Sequence, residues 1–455
     1  MTTPNNLPTK TRVRKNLSAD ALNRAVYRTF EKVFDHRCEK DVQISLGDAL
    51  MSGYAMFQLK DPSLLAFQRR CKDEAKLKNL KTVYGIKQVP AYSSMSDILD
   101  PVDPDLLRPA FLVPFRALQR GKALEQMTFL GGYYLVALDG SGSFASSKIQ
   151  SQSCQTKTNK KTGEVTYYQQ VLGAAIVHPD RKEVIPLPPE MVRPQDGTTK
   201  NDSEREAAKR WTPKFRKDHP HLKVIVVEDS LSSNAPHIRV LQEHNMSYIL
   251  GVKPGDHEFL YSHVHSAYAK DRMTEIRLTD SKDPKKTHLF HFINGVPLNK
   301  SNPDLLVNFV AYTEITPTKT REFNWITDIE ITAENVFDIM RAGRARWRIE
   351  NETFNTLKNQ GYHFEHNFGL GKEHLSEVYV HLMMLAFLVD QAQQLACPLF
   401  QAVLKKIKVK KALWEEMRSL FHTYLVDSME TIFTALLYGY EKPALQPIDS
   451  CLWNE

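Results

Sequence analysis

Cysteine is scarce in this chain. Five occur in 455 residues (Cys38, Cys71, Cys154, Cys397 and Cys451), an odd number with no CxxC pair. That argues against a disulfide framework or a thiolate zinc site and suits a reducing interior. The N-terminus lacks an apolar stretch: Lys10, Arg12, Arg14 and Lys15 make it polar and basic, so no signal peptide is expected. Long apolar runs are missing too. The most apolar segment, Val378 to Val389, is too short to span a bilayer and contains His381, so it reads as a buried helix. No glycine-rich phosphate loop of the Walker type is present, which argues against an ATP-driven motor. No internal repeat or low-complexity block stands out.

What is there belongs to an ordinary soluble globular protein, with 42% hydrophobic and 25% charged residues. The length implies two or three domains. A formal net charge of +7 permits a polyanionic partner such as nucleic acid.

Taken in order, residues 1–15 form a basic arm, either a solvated tail or a DNA-binding segment. Residues 16–129 are helical in pattern; Leu22, Val26, Phe30 and Val33 lie on one helix face. Within them Arg69, Arg70, Lys72, Lys76, Lys78 and Lys81, interleaved with Asp73 and Glu74, read equally as a DNA-binding or a solvated charged surface. At Tyr133 a buried strand begins and ends on Asp139-Gly, followed by a polar loop with Ser141, Ser143, Ser146 and Ser147. Strands are expected at Tyr167–Val177 and from Val184, then a helix from Asp202 to Trp211 stopped by Pro213. A second buried strand from Leu222 ends in Glu228 and Asp229, and a helix (Asn234–His244) and a strand (Tyr248–Lys253) follow, an α/β signature. Residues 256–332 are β-rich, either an insertion or an extension of the core sheet. The divisions expected are therefore 1–15, 16–129, 130–255, 256–332, 333–395 and a helical 396–455.

The chemistry concentrates on a helix read from Arg344 to Gln360. At 100° per residue Arg346, Glu350, Thr353 and Leu357 share a stripe, while Trp347 and Phe354 share a neighbouring one that can anchor the helix on a core. An i,i+4 surface pair would explain Arg346 and Glu350 equally simply. Two more acids stand at strand ends, Asp139 and Asp229, separated by 90 residues, with Glu350 a further 121 along. Three hard oxygen donors suit Mg²⁺ or Mn²⁺, and two such ions can activate a water or a 3′-hydroxyl in phosphodiester chemistry. Asp139 before Gly could instead be a turn residue and Asp229 before Ser a helix N-cap, with Glu228 an equally exposed neighbour. His363, His366 and His374 crowd one loop, but without thiols they read as polar loop residues rather than a zinc site.

Leu-Asp139-Gly-Ser, Val-Val-Glu-Asp229-Ser-Leu, Ile-Leu-Gly-Val-Lys253 and Arg346-Trp-Arg-Ile-Glu350-Asn-Glu-Thr-Phe-Asn together resemble the DDE transposases of bacterial insertion sequences. The branch is the one with a Tyr-x2-Arg-x3-Glu-x6-Lys signature, and the resemblance covers roughly residues 130 to 395. It implies a mixed α/β fold: a ribonuclease H-like core interrupted by a β-rich insertion and flanked by helical regions. It also implies Asp139, Asp229 and Glu350 as catalytic ligands for two Mg²⁺ or Mn²⁺ ions. Arg346, Lys358 and Lys253 become DNA- or phosphate-binding residues. The implied activity is metal-dependent cleavage at element ends and strand transfer into target DNA, in the bacterial cytoplasm at the nucleoid. The implied partners are terminal inverted repeats, target DNA and a second copy in a homodimeric synaptic complex. A catalytically inactive DNA-binding regulator and a structure-specific nuclease are the competing readings. The chain departs from the signature twice: its Tyr position is Gly343 and its Lys position is Leu357, with Lys358 one step late. Some relatives keep a base-receiving aromatic in the insertion; Trp325 is either that or a core Trp.

Overall fold

The computed structural model describes residues 16–448 except 39, 41, 72, 195–199 and 442–444, so the basic arm and Cys451 lie outside the described residues. Six helices come first: α1 (Ala19–Phe30), α2 (Leu46–Gln58), α3 (Leu64–Arg70), α4 (Glu74–Tyr84), α5 (Tyr92–Leu99) and α6 (Arg108–Arg120). Strands β1 (Thr128–Phe129), β2 (Tyr133–Ser146), β3 (Gln155–Thr158), β4 (Val165–Val177), β5 (Ile185–Pro186) and β6 (Glu190–Val192) follow. Next come α7 (Lys200–Asp218), β7 (Val224–Glu228), α8 (Ala235–Glu243), β8 (Ser247–Gly251) and α9 (Glu258–Ala269). The β-rich block holds β9 (Thr274–Thr279), β10 (Thr287–Asn299), β11 (Asn302–Ile315) and β12 (Thr320–Thr327). Helices α10 (Val336–Ala345), α11 (Asn355–Asn359), α12 (Leu375–Ala396), α13 (Pro398–Ile407), α14 (Lys410–Thr423) and α15 (Met429–Tyr438) close the chain, with a small pair, β13 (Tyr424–Leu425) and β14 (Gln446–Pro447).

The result is a mixed α/β fold, a β-rich core flanked by helical regions. One sheet runs β3-β4-β2-β7-β8-β12-β11-β10-β9, with β1 on β2 and both β5 and β6 on β4. Its centre is parallel: β2 on β7 and β7 on β8. Strand β7, Val-Ile-Val-Val-Glu, is buried along its whole length, as a parallel strand covered on both faces must be. The block 256–332 continues this sheet, because β12 pairs antiparallel with β8, Trp325 opposite Gly251.

Two expected boundaries move. Ser141, Ser143 and Ser146 are strand, not loop, because β4 backs β2 from Leu135↔Val177 to Ser146↔Tyr167, with one register shift at Ser143, and satisfies its backbone; Ser147 lies just past the strand. Helix α7 runs through Pro213 to Asp218. Trp211 and Phe215 flank that proline, stacked 4.7 Å apart and fully buried, and their burial outweighs the one hydrogen bond Pro removes.

The helical ends share a core. Helix α12 is long and apolar enough to cross a membrane by length and composition, but it is almost wholly buried inside the protein. It packs on α2, every residue of which is buried. Just beyond α2, the ammonium of Lys60 meets Asp390 of α12 at 2.5 Å, and the Tyr362 hydroxyl donates to the same carboxylate at 2.6 Å. The ammonium also lies 4.2 Å from the Trp414 ring centre. Asp100 caps α12 from the other side, accepting from the backbone N–H groups of Lys372, Glu373, His374 and Leu375.

Candidate active site

The two aspartates meet through strand register. Tyr134 of β2 lies beside Val224 of β7, and Ala137 beside Val227, a constant offset of 224 − 134 = 90. The spacing between Asp139 and Asp229 is also 229 − 139 = 90. Two steps past the last paired position, the register therefore brings these residues level on neighbouring strands, their side chains on the same face of the sheet. Asp139 is not at a strand end as expected. It sits within β2, opposite Gly173 of β4, at the point where β2 outruns β7. Asp229 does act as an N-cap, accepting from the Leu231 N–H at 2.9 Å.

Glu350 arrives from a helix that is not regular. Helix α10 ends at Ala345, and residues Ile349–Phe354 form a π-helical turn before α11. Such wide turns are rare and concentrate at functional sites. Phe354, at the end of that turn, holds it down. Its ring fills the place where a side chain on Gly173 would stand, 2.6 Å from an ideal Cβ. Since Gly173 is the pairing partner of Asp139, the missing side chain lets the Glu350 helix settle beside Asp139. Phe354 is thus the anchor expected of it, but Trp347 is not: it stands 62% exposed. The break at Arg346 and the π turn rotate it off the core-facing stripe.

Arg346 sits between two of the acids. Its guanidinium is 2.7 Å from Glu350 and 3.7 Å from Asp139. Burial pushes the Asp139 carboxyl up to about 7; Arg346 opposes this, while the like charges of Glu350, Glu204 and Asp229 add to it. The charges of three other carboxylates therefore reach Asp139, and Arg346 is the close guanidinium that opposes them. Glu204, in the first turns of α7, is the member that sequence reasoning misses. Its carboxylate occupies the space a side chain on Gly140 would need and accepts from the Gln170 amide. No local motif marks it, because a charged residue in a polar helix reads as solvated surface. Among the described residues no three His, Cys, Asp or Glu side chains are close enough to hold an ion as they stand. The donor chemistry nonetheless fits a hard divalent cation: carboxylate oxygens only, with negative charge in excess.

Other candidates separate from this centre. Glu228 is not an exposed neighbour of Asp229. It is 5% exposed, bonded to His237 at 2.6 Å and to the Ser232 hydroxyl at 2.9 Å, and so is fully engaged in packing. Lys253 is exposed, two residues past Gly251, which rests on the backbone of Asp229 and Ser230. Lys358 pairs with Glu365 at 2.9 Å. Leu357, at the signature's Lys position, is fully buried and cannot reach solvent. Trp325 is a core residue, 6% exposed, stacked on Phe323 and lying on Gly343. That packing also explains why no Tyr stands at 343: a side chain there would collide with the indole. In the His-rich loop, His374 bonds Glu377 at 3.3 Å and the His366 N–H donates to the His363 carbonyl, a packed loop rather than a converging ligand set.

No curated protein matches the chain. Among solved structures it is similar to the piggyBac transposase synaptic complex with hairpin DNA, determined by cryo-electron microscopy. The identity is 10% and the TM-score 0.37, over 92% of this chain and 79% of that one, too loose to bear on the site. The family model described as "Transposase DDE domain" matches residues 132–388, over half of the chain and all of the sheet but β1, with its acids. The chain belongs to the DDE transposase domain family.

Proposed function

We propose that the protein is a transposase that cleaves DNA at the ends of an insertion sequence and joins the freed 3′-hydroxyl to target DNA. The observation that supports this reading most is Arg346 between Asp139 and Glu350, at 3.7 Å and 2.7 Å, with the charge of Asp229 also felt at Asp139, in a chain of this family. The sheet order, with parallel β2, β7 and β8 at its centre, suits a ribonuclease H-like core. Asp139, Asp229 and Glu350 are the ligands for two Mg²⁺ or Mn²⁺ ions. Bound there, the metal would lower the pKa of the attacking water or 3′-hydroxyl and stabilise the leaving oxygen. Arg346 bridges the Asp139 and Glu350 carboxylates. Were those carboxylates to hold a metal instead, its guanidinium would be free to bind a non-bridging oxygen of the scissile phosphate. Lys358 and Lys253 bind the flanking backbone. Glu204 adds negative charge that sets how strongly Asp139 competes for a cation over a proton. The substrates are terminal inverted repeats and target DNA, held by two copies of the chain in the synaptic complex.

One observation favours a second reading, a DNA-binding regulator without catalysis: Arg346 already neutralises Glu350, and the acids do not stand close enough to hold an ion without moving. Labelled duplex from both flanks of the gene, incubated with Mg²⁺ or EDTA, decides between them. Site-specific nicks and joined products that need the metal and vanish in Glu350→Gln support the transposase. Nicks without joining point to a nuclease. Binding without cleavage by the native protein supports the regulator.

A further inference from the structure

Helices α1 and α6 run side by side and enclose a groove of about 800 Å³. Four arginines line it, Arg24 and Arg28 from α1 and Arg116 and Arg120 from α6, and all four are exposed. Each pair is spaced i,i+4, so each helix stacks two like charges about 6 Å apart along its axis, an arrangement that repels itself. None of the four makes a hydrogen bond or ion pair among the described residues, and no acidic side chain lines the groove. Two acids flank them along α1: Asp20, one turn before Arg24, is buried and accepts from the N–H groups of Met429 and Glu430 while its charge still reaches Arg24, and Glu31, the exposed C-cap, lies three residues past Arg28 with no ion pair to it among the described residues. The floor is small and apolar, Ala25 and Ala117 among it, so the guanidinium heads stand clear on both rims.

The basic stretch 69–81 contrasts with this. Arg70 is committed to Asp61 and Lys76 to Asp73, so part of its charge is already answered within the protein. The groove's charge is not.

We infer that the α1–α6 groove is a binding site for the sugar-phosphate backbone of duplex DNA, with Arg24, Arg28, Arg116 and Arg120 as its phosphate-binding residues. Guanidinium forks match phosphate oxygens, and facing rows of them on a narrow groove suit a ridge of repeated anions better than a single small ion. The choice of DNA as the polyanion rests on the transposase reading.

The test uses the full chain and a labelled duplex of random sequence, with affinity measured by fluorescence anisotropy across a series of salt concentrations. Arg24→Gln with Arg28→Gln, Arg116→Gln with Arg120→Gln, and the fourfold variant are compared with the native protein. A control carries Lys76→Gln and Lys209→Gln, lysines already paired with Asp73 and Glu206. For each phosphate that the variant no longer neutralises, the slope of log K against log salt should become shallower by about 0.9. The fourfold variant should flatten it by roughly 3–4, and the control should leave it near the native value. Arginine-to-lysine versions, which keep the charge, should restore most of the slope and guard against misfolding. Native affinity and slope in the fourfold variant would overturn the inference, as would an equal loss in the control. A change in oligomeric state with DNA binding intact would overturn it too, making the groove an interface between copies. Metal-dependent cleavage by the native protein, assayed alongside at saturating DNA, reports on the transposase reading separately. If cleavage fails while the groove variants still lose DNA, the binding site stands and the catalytic reading falls.

Discussion

Of the places where a cation meets carboxylate in this molecule, two are built to opposite ends. At the joint between the terminal helical regions, Lys60 is fully buried between Asp390 and the Trp414 ring, and Asp390 also accepts from Tyr362. The ammonium meets the carboxylate directly, and both are buried. At the acid centre, Arg346 faces Asp139 and Glu350 with Asp229 and Glu204 behind them, and the side chains remain partly open to solvent. Charge does not balance, and Asp139 is pushed up to about 7 by burial and its like-charged neighbours. A structural ion pair is recognised by completeness; a functional one is recognised by a deficit that a further ligand can fill.

The largest test of that contrast removes one member from each place. Asp139→Asn should reduce metal-dependent cleavage by about 10³-fold or more while leaving the fold intact. Lys60→Met should do the reverse. It strands Asp390 in the interior and should cost about 3–5 kcal/mol in urea denaturation, with cleavage per folded molecule unchanged. Equal stability losses in the two variants would remove the distinction.

A second test uses pH. The Asp139 carboxyl in the folded protein titrates at about 7, against an ordinary aspartate value of 3.8. A raised carboxyl keeps its proton in the folded state while the unfolded chain has lost it, so folding weakens as pH rises from about 4 to about 7. Above that window the acid costs the metal-free protein on the order of 2–4 kcal/mol. Asp139→Asn should therefore raise the melting temperature of the metal-free protein at about pH 8 and leave it nearly unchanged at about pH 4. A lower melting temperature at the higher pH would mean that the carboxylate is stabilising, and that the centre is an ordinary ion-pair network.

The difference between the two places also explains what is legible in the sequence. Asp139, Asp229 and Glu350 stand out in the sequence because each sits at a change of texture: an apolar strand giving way to acid, or an acid in a stretch that reads as unbroken helix and in the structure is a π turn. The 90-residue spacing even equals the strand register, though only the sheet reveals that. The π turn, the exposure of Trp347 and the continuation of β2 through its serines depend on distant partners, Gly173 and β4, which no local pattern encodes. The Lys60–Asp390 joint is invisible for the same reason, since 330 residues separate its partners. Core strands such as β7 announce themselves by composition, whereas buried ion pairs and close glycine packing do not.

The smallest expected effect concerns Glu204, the acid no motif marks. It lies over Gly140 and accepts from Gln170, and its charge reaches Asp139 without a direct bond between them. Glu204→Gln keeps the side chain's shape and removes one negative charge. Asp139 should then lose its proton at lower pH, and the centre should attract a divalent cation less. These effects pull in opposite directions near neutrality, so a modest net loss of Mn²⁺ affinity, about 10-fold, is expected at about pH 8, where Asp139 is already ionised. At about pH 6 the loss should shrink, because the variant gives up less metal to proton competition. Mn²⁺ titration followed by electron paramagnetic resonance reads this without any turnover. A loss that is the same at both pH values would make Glu204 a packing residue over Gly140, and the excess of charge at the centre would then belong to the three acids alone.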